Sequence, residues 1–434
     1  MSILIKNGYV INGNGVNNGI KDIFIDNGLI AEINEDLHMK ADTVIDATGL
    51  HVFPGFVDAH CHLRDPGFEY KEDIKSGTRS AAQGGFTSVA CMPNTDPVAD
   101  NKAVISYIIN KAKHEGVVNV FPIGAVTKNQ KGEFLADIGE MKQAGAVALS
   151  DDGRPVLSAS LMRKAVQYAS AFDLTVISHC EDLSLVEHGS MNEGYMSTVL
   201  GLPGIPHEAE EVMVAREILL SEGLNIPIHI AHVSTKTSVA LIRDAKRRGV
   251  KITCETCPHY FSLTDEAVTG YDTNAKVNPP LRTEEDRIAI IQGLADDTID
   301  IIATDHAPHH QDEKNVEFNL AANGISGFET AFGLCSTYLL KPGVLTLERF
   351  VDKIAVNPSR LLKIKRGTLK RGDAADVTIC DLERPVQVDV KKFYSKGKNS
   401  PYDGKSLIGT VEYTIVSGKP IVMKQEPVTP EEGV

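Results

Sequence analysis

His60 and His62 close an apolar run, Phe56-Val57-Asp58-Ala59-His60-Cys61-His62-Leu63, and a turn follows at Pro66-Gly67. Residues i and i+2 of a strand point to the same face, so both imidazoles can aim at one point where the strand stops. Imidazole is the commonest protein ligand for zinc-like ions, although two alternating histidines also make a half-buried strand face. Further along, other short apolar runs end in comparable groups: Ser150-Asp151-Asp152-Gly153, Ser178-His179-Cys180-Glu181-Asp182, Ala231-His232-Val233-Ser234 and Thr304-Asp305-His306-Ala307-Pro308-His309. His60, His62, His179, His232, Asp152 and Asp305 are then candidate ligands at five strand ends. Imidazoles and carboxylates are costly to bury unpaired, which argues against core filling. Isolated histidines such as His38, His114 and His188 read as solvated surface groups. One zinc takes three or four protein ligands, so six point to two ions sharing a bridging carboxylate. Such ions sit about 3.5–4 Å apart and lower the pKa of a shared water to about 7, which makes hydroxide available at neutral pH.

The elements that must carry these residues alternate short apolar runs with longer amphipathic ones, the pattern of βα units and a parallel sheet. Eight strands are expected: Phe56 to Leu63, Thr87 to Met92, Asn119 to Val126, Ala146 to Ser150, Thr175 to Ser178, Pro227 to Ala231, Lys251 to Glu255 and Asp300 to Ala303. Helical periodicity falls between them, at Glu72 to Gln83, Ala159 to Ala171, Glu208 to Leu220 and Ser238 to Arg248. Residues 53–365 therefore fit an α/β class (β/α)8 TIM-like barrel, whose active sites lie at the C-terminal strand ends. Both chain ends are β-rich instead. Asn7-Gly8 and Asn27-Gly28 are hairpin signals, and Asp376 to Cys380 and Val411 to Val416 read as strands, with a turn at Ser417-Gly418. Residues 1–52 and 366–434 are expected to form one small composite β-sandwich domain. The tail from Gln425 is rich in Pro and Glu and is expected to fray.

Composition narrows the function. The chain has 434 residues, 42% hydrophobic and 24% charged, with a formal net charge of -14, an ordinary globular profile. An acidic balance disfavours nucleic acid or an anionic membrane as partner. No stretch is apolar for long enough to span a bilayer, and Met1 to Gly8 carries no secretory pattern. Seven scattered cysteines fit reduced thiols in a cytoplasm. Cys254-Glu255-Thr256-Cys257 has C-x-x-C spacing, but with no second pair it reads better as buried strand cysteines than as a structural zinc site.

Nine stretches, in order, resemble the amidohydrolase superfamily and, within it, the dihydroorotases of bacterial type. They are Asp58-Ala-His-Cys-His-Leu-Arg-Asp-Pro-Gly67, Lys71-Glu-Asp73, Cys91-Met-Pro-Asn-Thr95, Ser150-Asp-Asp-Gly153, Ser178-His-Cys-Glu-Asp182, Ala231-His-Val-Ser-Thr235, Glu255-Thr-Cys-Pro-His259, Asn278-Pro-Pro-Leu-Arg282 and Ala303-Thr-Asp-His-Ala-Pro-His309. The resemblance implies reversible, zinc-dependent cyclisation of N-carbamoyl-L-aspartate to L-dihydroorotate in pyrimidine biosynthesis, with two Zn2+ per subunit. It implies His60, His62 and Asp305 as ligands of one ion, His179 and His232 as ligands of the other, and Asp152 as the bridge. Many relatives bridge with a carboxylated lysine, where this chain has Asp151-Asp152. Asp305 is implied as the general acid and base. Arg64, Asn94 and His309 are implied as the clamp for the substrate's unreactive carboxylate, with His62 also at the substrate and Asn278 on its ring. Surface pairing, a turn cap and a loop contact would be the bland explanations of Arg64, Asn94 and His309. Asn323-Gly324, where many relatives place an aromatic before the glycine, would touch substrate through backbone amides. Pro308 to Ser326 reads as a water-excluding lid. His259 is either a group supporting a ligand or a loop histidine.

Two rivals remain at this level. A cyclic-amide hydrolase for hydantoin, dihydropyrimidine or allantoin would share fold and metal centre, but Arg64 and Asp152 argue against it. A non-catalytic scaffold for aspartate transcarbamoylase would lack ligands that this chain keeps. The expected assembly is a homodimer acting on a small molecule, and association with aspartate transcarbamoylase is compatible with the sequence.

Overall fold

The protein is described from a computed structural model covering residues 1–13 and 18–428. Eight short strands run in the order Phe56–Cys61, Phe86–Cys91, Asn119–Pro122, Leu149–Ser150, Val176–Ser178, Ile228–Ile230, Ile252–Thr256 and Ile301–Ile302. The first three pair in parallel, as do the last five. Parallel bridges Gly124↔Leu149 and Cys61↔His306 join the two groups. The ring thereby closes into a (β/α)8 barrel. Its interior is filled by small and branched side chains, among them Val57, Ala59, Ala90, Ile123, Ile177 and Ile301.

Several expected strands are shorter in the structure, because the chain leaves the ladder as soon as it reaches the barrel mouth. Register in the first strand pair shifts between Asp58 and Cys61. Such an irregularity re-aims side chains next to a site. Val57 and Ala59 face the barrel core and Cys61 faces the surrounding helices, so strict alternation is broken before His60 and His62. Helices begin directly behind strand ends. Asp73 accepts a hydrogen bond from the Ser76 amide at 2.7 Å and caps Ile74–Gln83. Thr235 caps Lys236–Arg247 by accepting from the Ser238 amide at 3.1 Å. Each cap satisfies one of the open donors at a helix start.

Strands from both chain ends build a second, nine-stranded sheet. The seam is antiparallel pairing of His51–Pro54 with Val377 to Cys380, and that first strand runs across the boundary expected at residue 52. A shared apolar core includes Ile3, Ile23, Val52, Val377, Ile379 and Ile415, and this β-sandwich unit sits beside the barrel. Asn27 and Gly28 both have positive φ, at 49° and 78°, the geometry of a tight hairpin turn. Asn7-Gly8 differs from expectation. It lies inside the strand Ser2–Val10, where the register shifts. A Cβ on Gly8 would come 2.4 Å from Val52 Cγ2, so glycine is required by the neighbouring strand rather than by a turn. The Pro/Glu tail pairs through Glu426–Pro427 against Val422 and Met423; residues 429–434, also expected to fray, lie outside the described residues. Among the described residues no helix is long and apolar enough to cross a membrane.

Candidate active site

The strand ends deliver their side chains to one place. His62, Arg64, Asn94, Asp152, His179, His232, Asn278, Asp305, His309, Asn323 and Gly324 all line a single cavity of about 240 Å3 at the barrel mouth. His60, the remaining ligand candidate, is fully buried against the same cluster. Asp152 stands in the middle. Its Oδ1 lies 3.4 Å from His60 Nε2 and 3.5 Å from both His179 Nδ1 and His232 Nε2. Its Oδ2 lies 3.5 Å from His62 Nε2. Asp305 Oδ1 is 3.1 Å from His62 Nε2 and 3.6 Å from His60 Nε2. One carboxylate thus faces two sets of imidazoles, the arrangement a bridging ligand needs.

The donors fit a metal centre. His60 Nε2 and Asp152 Oδ1 are buried and make no hydrogen bond, an expensive condition for polar atoms. Among the described residues three groupings converge closely enough to hold an ion, His60–His62–Asp305, His60–Asp152–His232 and Cys257–His259–Asp305, and the first two contain the expected ligands. Burial works to lower the His179 imidazole, but Asp152 and Glu181 beside it raise it, to about 10. Burial likewise opposes ionisation of Asp152, yet the surrounding histidines hold its carboxyl well below the usual range. Asp305 is held low in the same way, by His62 and His60 against its own burial. The carboxylates favour positive charge on these imidazoles, and a bound cation would take the place of those protons.

Behind the cluster lies a layer of carboxylates. Glu255 Oε1 sits 2.6 Å from His60 Nδ1, and its Oε2 sits 3.2 Å from His229 Nε2. His229 Nδ1 in turn lies 2.8 Å from Thr253 Oγ1. Burial pushes Glu255 up, but the charge on His60 and bonds from both histidines bring it down to about 2. Glu181 Oε2 is 3.1 Å from His179 Nε2. Such partners fix the tautomer and aim of ligand imidazoles. Asp58 accepts from the Thr304 amide at 2.9 Å and from its hydroxyl at 2.6 Å, which anchors the approach to Asp305. Arg64, His232 and Asp305 have φ of 60°, 33° and 45°. Left-handed backbone at non-glycine residues costs about 1–3 kcal/mol each and persists where a site demands it.

The opposite wall is cationic. Arg64 Nη2 lies 3.2 Å from His309 Nε2, and Arg64 Nε donates to the Pro308 carbonyl at 3.3 Å. His309 Nε2 is 2.8 Å from the Asn323 carbonyl. Gly324 has φ 146°, and a Cβ there would come 2.5 Å from the Ala307 carbonyl, so no other residue fits. Asn94 does more than line the cavity: its Oδ1 lies 2.9 Å from His62 Nδ1. Asn278 donates to Glu181 Oε2 at 3.1 Å and leaves its own Oδ1 buried without a partner. His259 is buried, with Nε2 unpartnered and burial lowering it to about 4. It lies in the short helix Pro258–Ser262 close to Asp305, outside the cavity lining, and is not a solvated loop histidine. The segment after His309 carries a short helix, Gln311–Lys314, and returns to the cavity at Asn323 and Gly324.

Sequence reasoning singled out no role for Glu255, His229 or Glu181. A signal existed for the first two, since a carboxylate and an imidazole inside otherwise apolar strands require buried partners. Asn399, which reaches the same wall from the C-terminal part of the chain, carried no local signal.

Residues 49–238 match the family model described as dihydro-orotase-like. The chain is 64% identical to the dihydroorotase of Acetivibrio thermocellus over 423 residues, covering 98% of this chain and 99% of the relative. It is 58% identical to the dihydroorotase of Geotalea daltonii, covering 98% and 100%. Among solved structures it resembles the L-hydantoinase (dihydropyrimidinase) of Arthrobacter aurescens, with TM-score 0.90, 27% identity and 98% and 97% of the two chains covered. The dihydropyrimidinase of Brevibacillus agri shares the fold at TM-score 0.87 and 23% identity, covering 99% of this chain and 96% of its own.

Proposed function

The chain belongs to the dihydroorotase family of cyclic amide hydrolases, and on that footing we propose that it interconverts N-carbamoyl-L-aspartate and L-dihydroorotate with two zinc ions, in pyrimidine biosynthesis. The observation that carries this reading is the polarity of the one cavity. Asp152 and Asp305 stand among four histidines on one wall, and Arg64 with His309 stands on the other. A substrate with a reacting amide at one end and a free carboxylate at the other matches both walls.

His60, His62 and Asp305 would hold one ion, His179 and His232 the other, with Asp152 between them. When bound, two such ions supply Lewis acidity and lower the pKa of a shared water. The protein's own groups do the rest. Arg64 offers a planar fork of donors to the unreactive carboxylate. The Asn278 Oδ1 accepts from the ring. In ring opening, the Asp305 carboxylate takes a proton from the attacking water and delivers it to the leaving ring nitrogen. In ring closure it takes the proton from the ureido nitrogen as the new C–N bond forms and water departs. The wall built from residues 308–326 limits bulk water at the reacting atoms. Seven cysteines, all buried and none in a disulfide, support a reducing cytoplasm as the setting.

The test is a substrate panel on zinc-loaded protein, repeated after chelation. It would hold L-dihydroorotate, N-carbamoyl-L-aspartate, dihydrouracil, hydantoin and allantoin. Metal-dependent turnover of the first two alone is expected. Turnover of an uncharged ring at a similar rate would discard the carboxylate wall. Undiminished turnover after metal is removed would discard the metal reading.

A further inference from the structure

We propose that Asn399 is a positioning residue for substrate binding, holding the two ends of the segment that carries His309 and Gly324. This inference rests on the reading of Arg64 and His309 as the carboxylate clamp. Between the strands Val377–Gln387 and Ser406–Val416 the chain leaves the terminal sheet, and residues 393–399 cross to the barrel mouth. Asn399 is 4% exposed there. Its Oδ1 accepts from the His309 amide at 2.9 Å and from Ser326 Oγ at 3.0 Å. Its Nδ2 donates to the Ala307 carbonyl at 3.1 Å and to the Gly324 carbonyl at 2.9 Å. Its own carbonyl accepts from the Ser326 amide at 2.8 Å. Two donors and two acceptors are all an amide side chain has, and all are used.

These bonds tie both ends of the 308–326 segment, Ala307 to His309 and Gly324 to Ser326, to one side chain. Chain ends so held cannot separate without leaving several backbone groups unpaired. Neighbouring contacts deliver Asn399 to its place. Ser326 Oγ also lies 2.8 Å from the Gly397 carbonyl, which shares the hydroxyl's one proton with Asn399 Oδ1. Glu329 accepts from the Tyr394 amide at 2.7 Å, and Glu72 from the Lys396 amide at 3.2 Å. A Cβ on Gly397 would lie 2.6 Å from Pro308 Cβ, 2.7 Å from Asn399 Oδ1 and 2.9 Å from the His309 amide, so glycine permits the approach. Asn399 lies outside the cavity lining; its effect passes through His309 and Gly324.

The test measures kcat, KM for L-dihydroorotate and thermal midpoint in Asn399→Ala, His309→Ala and the double variant. Asn399→Ala should raise KM about tenfold while kcat stays within about threefold. In the His309→Ala background the same change should shrink to about threefold or less, because contributions through a shared group are not additive. Gly397→Ala, whose Cβ would crowd Pro308, the His309 amide and Asn399 Oδ1 itself, should reproduce the KM effect by displacing the same contacts, and it stands in should Asn399→Ala fold poorly. A lowered midpoint with unchanged KM in both variants would make Asn399 merely structural and overturn the proposal. So would fully additive losses. If His309→Ala itself leaves KM unchanged, the clamp reading falls and the inference falls with it. A raised KM in His309→Ala beside an unchanged one in Asn399→Ala sinks the inference alone.

Discussion

Asp305 touches the His60–His62 pair through Oδ1 and faces the open cavity, so on the proposed reading one carboxylate would both hold an ion and move a proton. Asp305→Ala should lower kcat by about 10^2–10^4, the range for loss of a general acid–base group, or more where a ligand goes with it. Steady-state kinetics on metal-loaded protein checks this; a rate near that of the parent would remove Asp305 from the proton path. On the same reading Arg64 would bind substrate at the other wall. Arg64→Ala removes charge-assisted hydrogen bonds of roughly 1.5–3 kcal/mol, so KM should rise about 10- to 150-fold with kcat changed far less. A change confined to kcat would contradict a binding role. Glu255 never reaches the cavity, yet it fixes His60 from behind at 2.6 Å. Glu255→Gln should weaken metal affinity about 10- to 100-fold, read by competition with a chelator, and affinity equal to the parent's would show that His60 needs no such partner.

At the scale of elements, the barrel strands only present residues; the chain segments behind and above them set the aim. The helix Phe328–Cys335 carries Glu329, whose carboxylate accepts from Ser80 Oγ at 2.7 Å and from the Tyr394 and Ser395 amides. Burial pushes this carboxyl up from 4.5 to about 7, against the bonds that favour its charge. A folded pKa above the unfolded one means that the native state binds the extra proton between those values. Stability from this group is therefore complete below about pH 4.5 and declines as pH rises through about 7. The displacement corresponds to roughly 3–4 kcal/mol at most. Glu329→Gln keeps an oxygen acceptor and removes the titration. Its thermal midpoint should vary less between pH 5 and pH 8 than the parent's, and should exceed it at pH 8. Parallel curves for the two proteins would place the pH dependence elsewhere.

For the molecule as a whole, the candidate ligands come from five barrel strands spread between His60 and Asp305, so an ion pair held there would tie together elements far apart in the chain. Removing metal by chelation should abolish turnover and lower the thermal midpoint by several degrees, since a ligand at 1,000 times its Kd contributes about 4 kcal/mol to the folded state. Zinc added back should restore both, and an unchanged midpoint would mean that the donors are held by the fold alone. Much of this organisation was legible in the chain. Alternation of βα units announced the barrel, the Asn27-Gly28 turn its hairpin, and His or Asp at five of the eight strand ends the cluster, because each of these codes is local. Periodicity and turn chemistry act over a few residues and need no partner to be read. Where the code was local but its context was not, reading failed. Asn7-Gly8 has the letters of a turn, yet Gly8 answers to Val52 on a neighbouring strand. Alternation predicted that His60 and His62 share a face, but the shift after Asp58 that sends that face into the site depends on the neighbouring strand. Glu255 meets His60 across 195 residues and Asn399 meets His309 across 90. Residue types along the chain determined the chemistry available: imidazoles and carboxylates for a cation, an arginine for an anion. Only the closed barrel and the crossing C-terminal segment decided which of those groups meet, because such hydrogen bonds are set by distances in space that sequence separation does not encode.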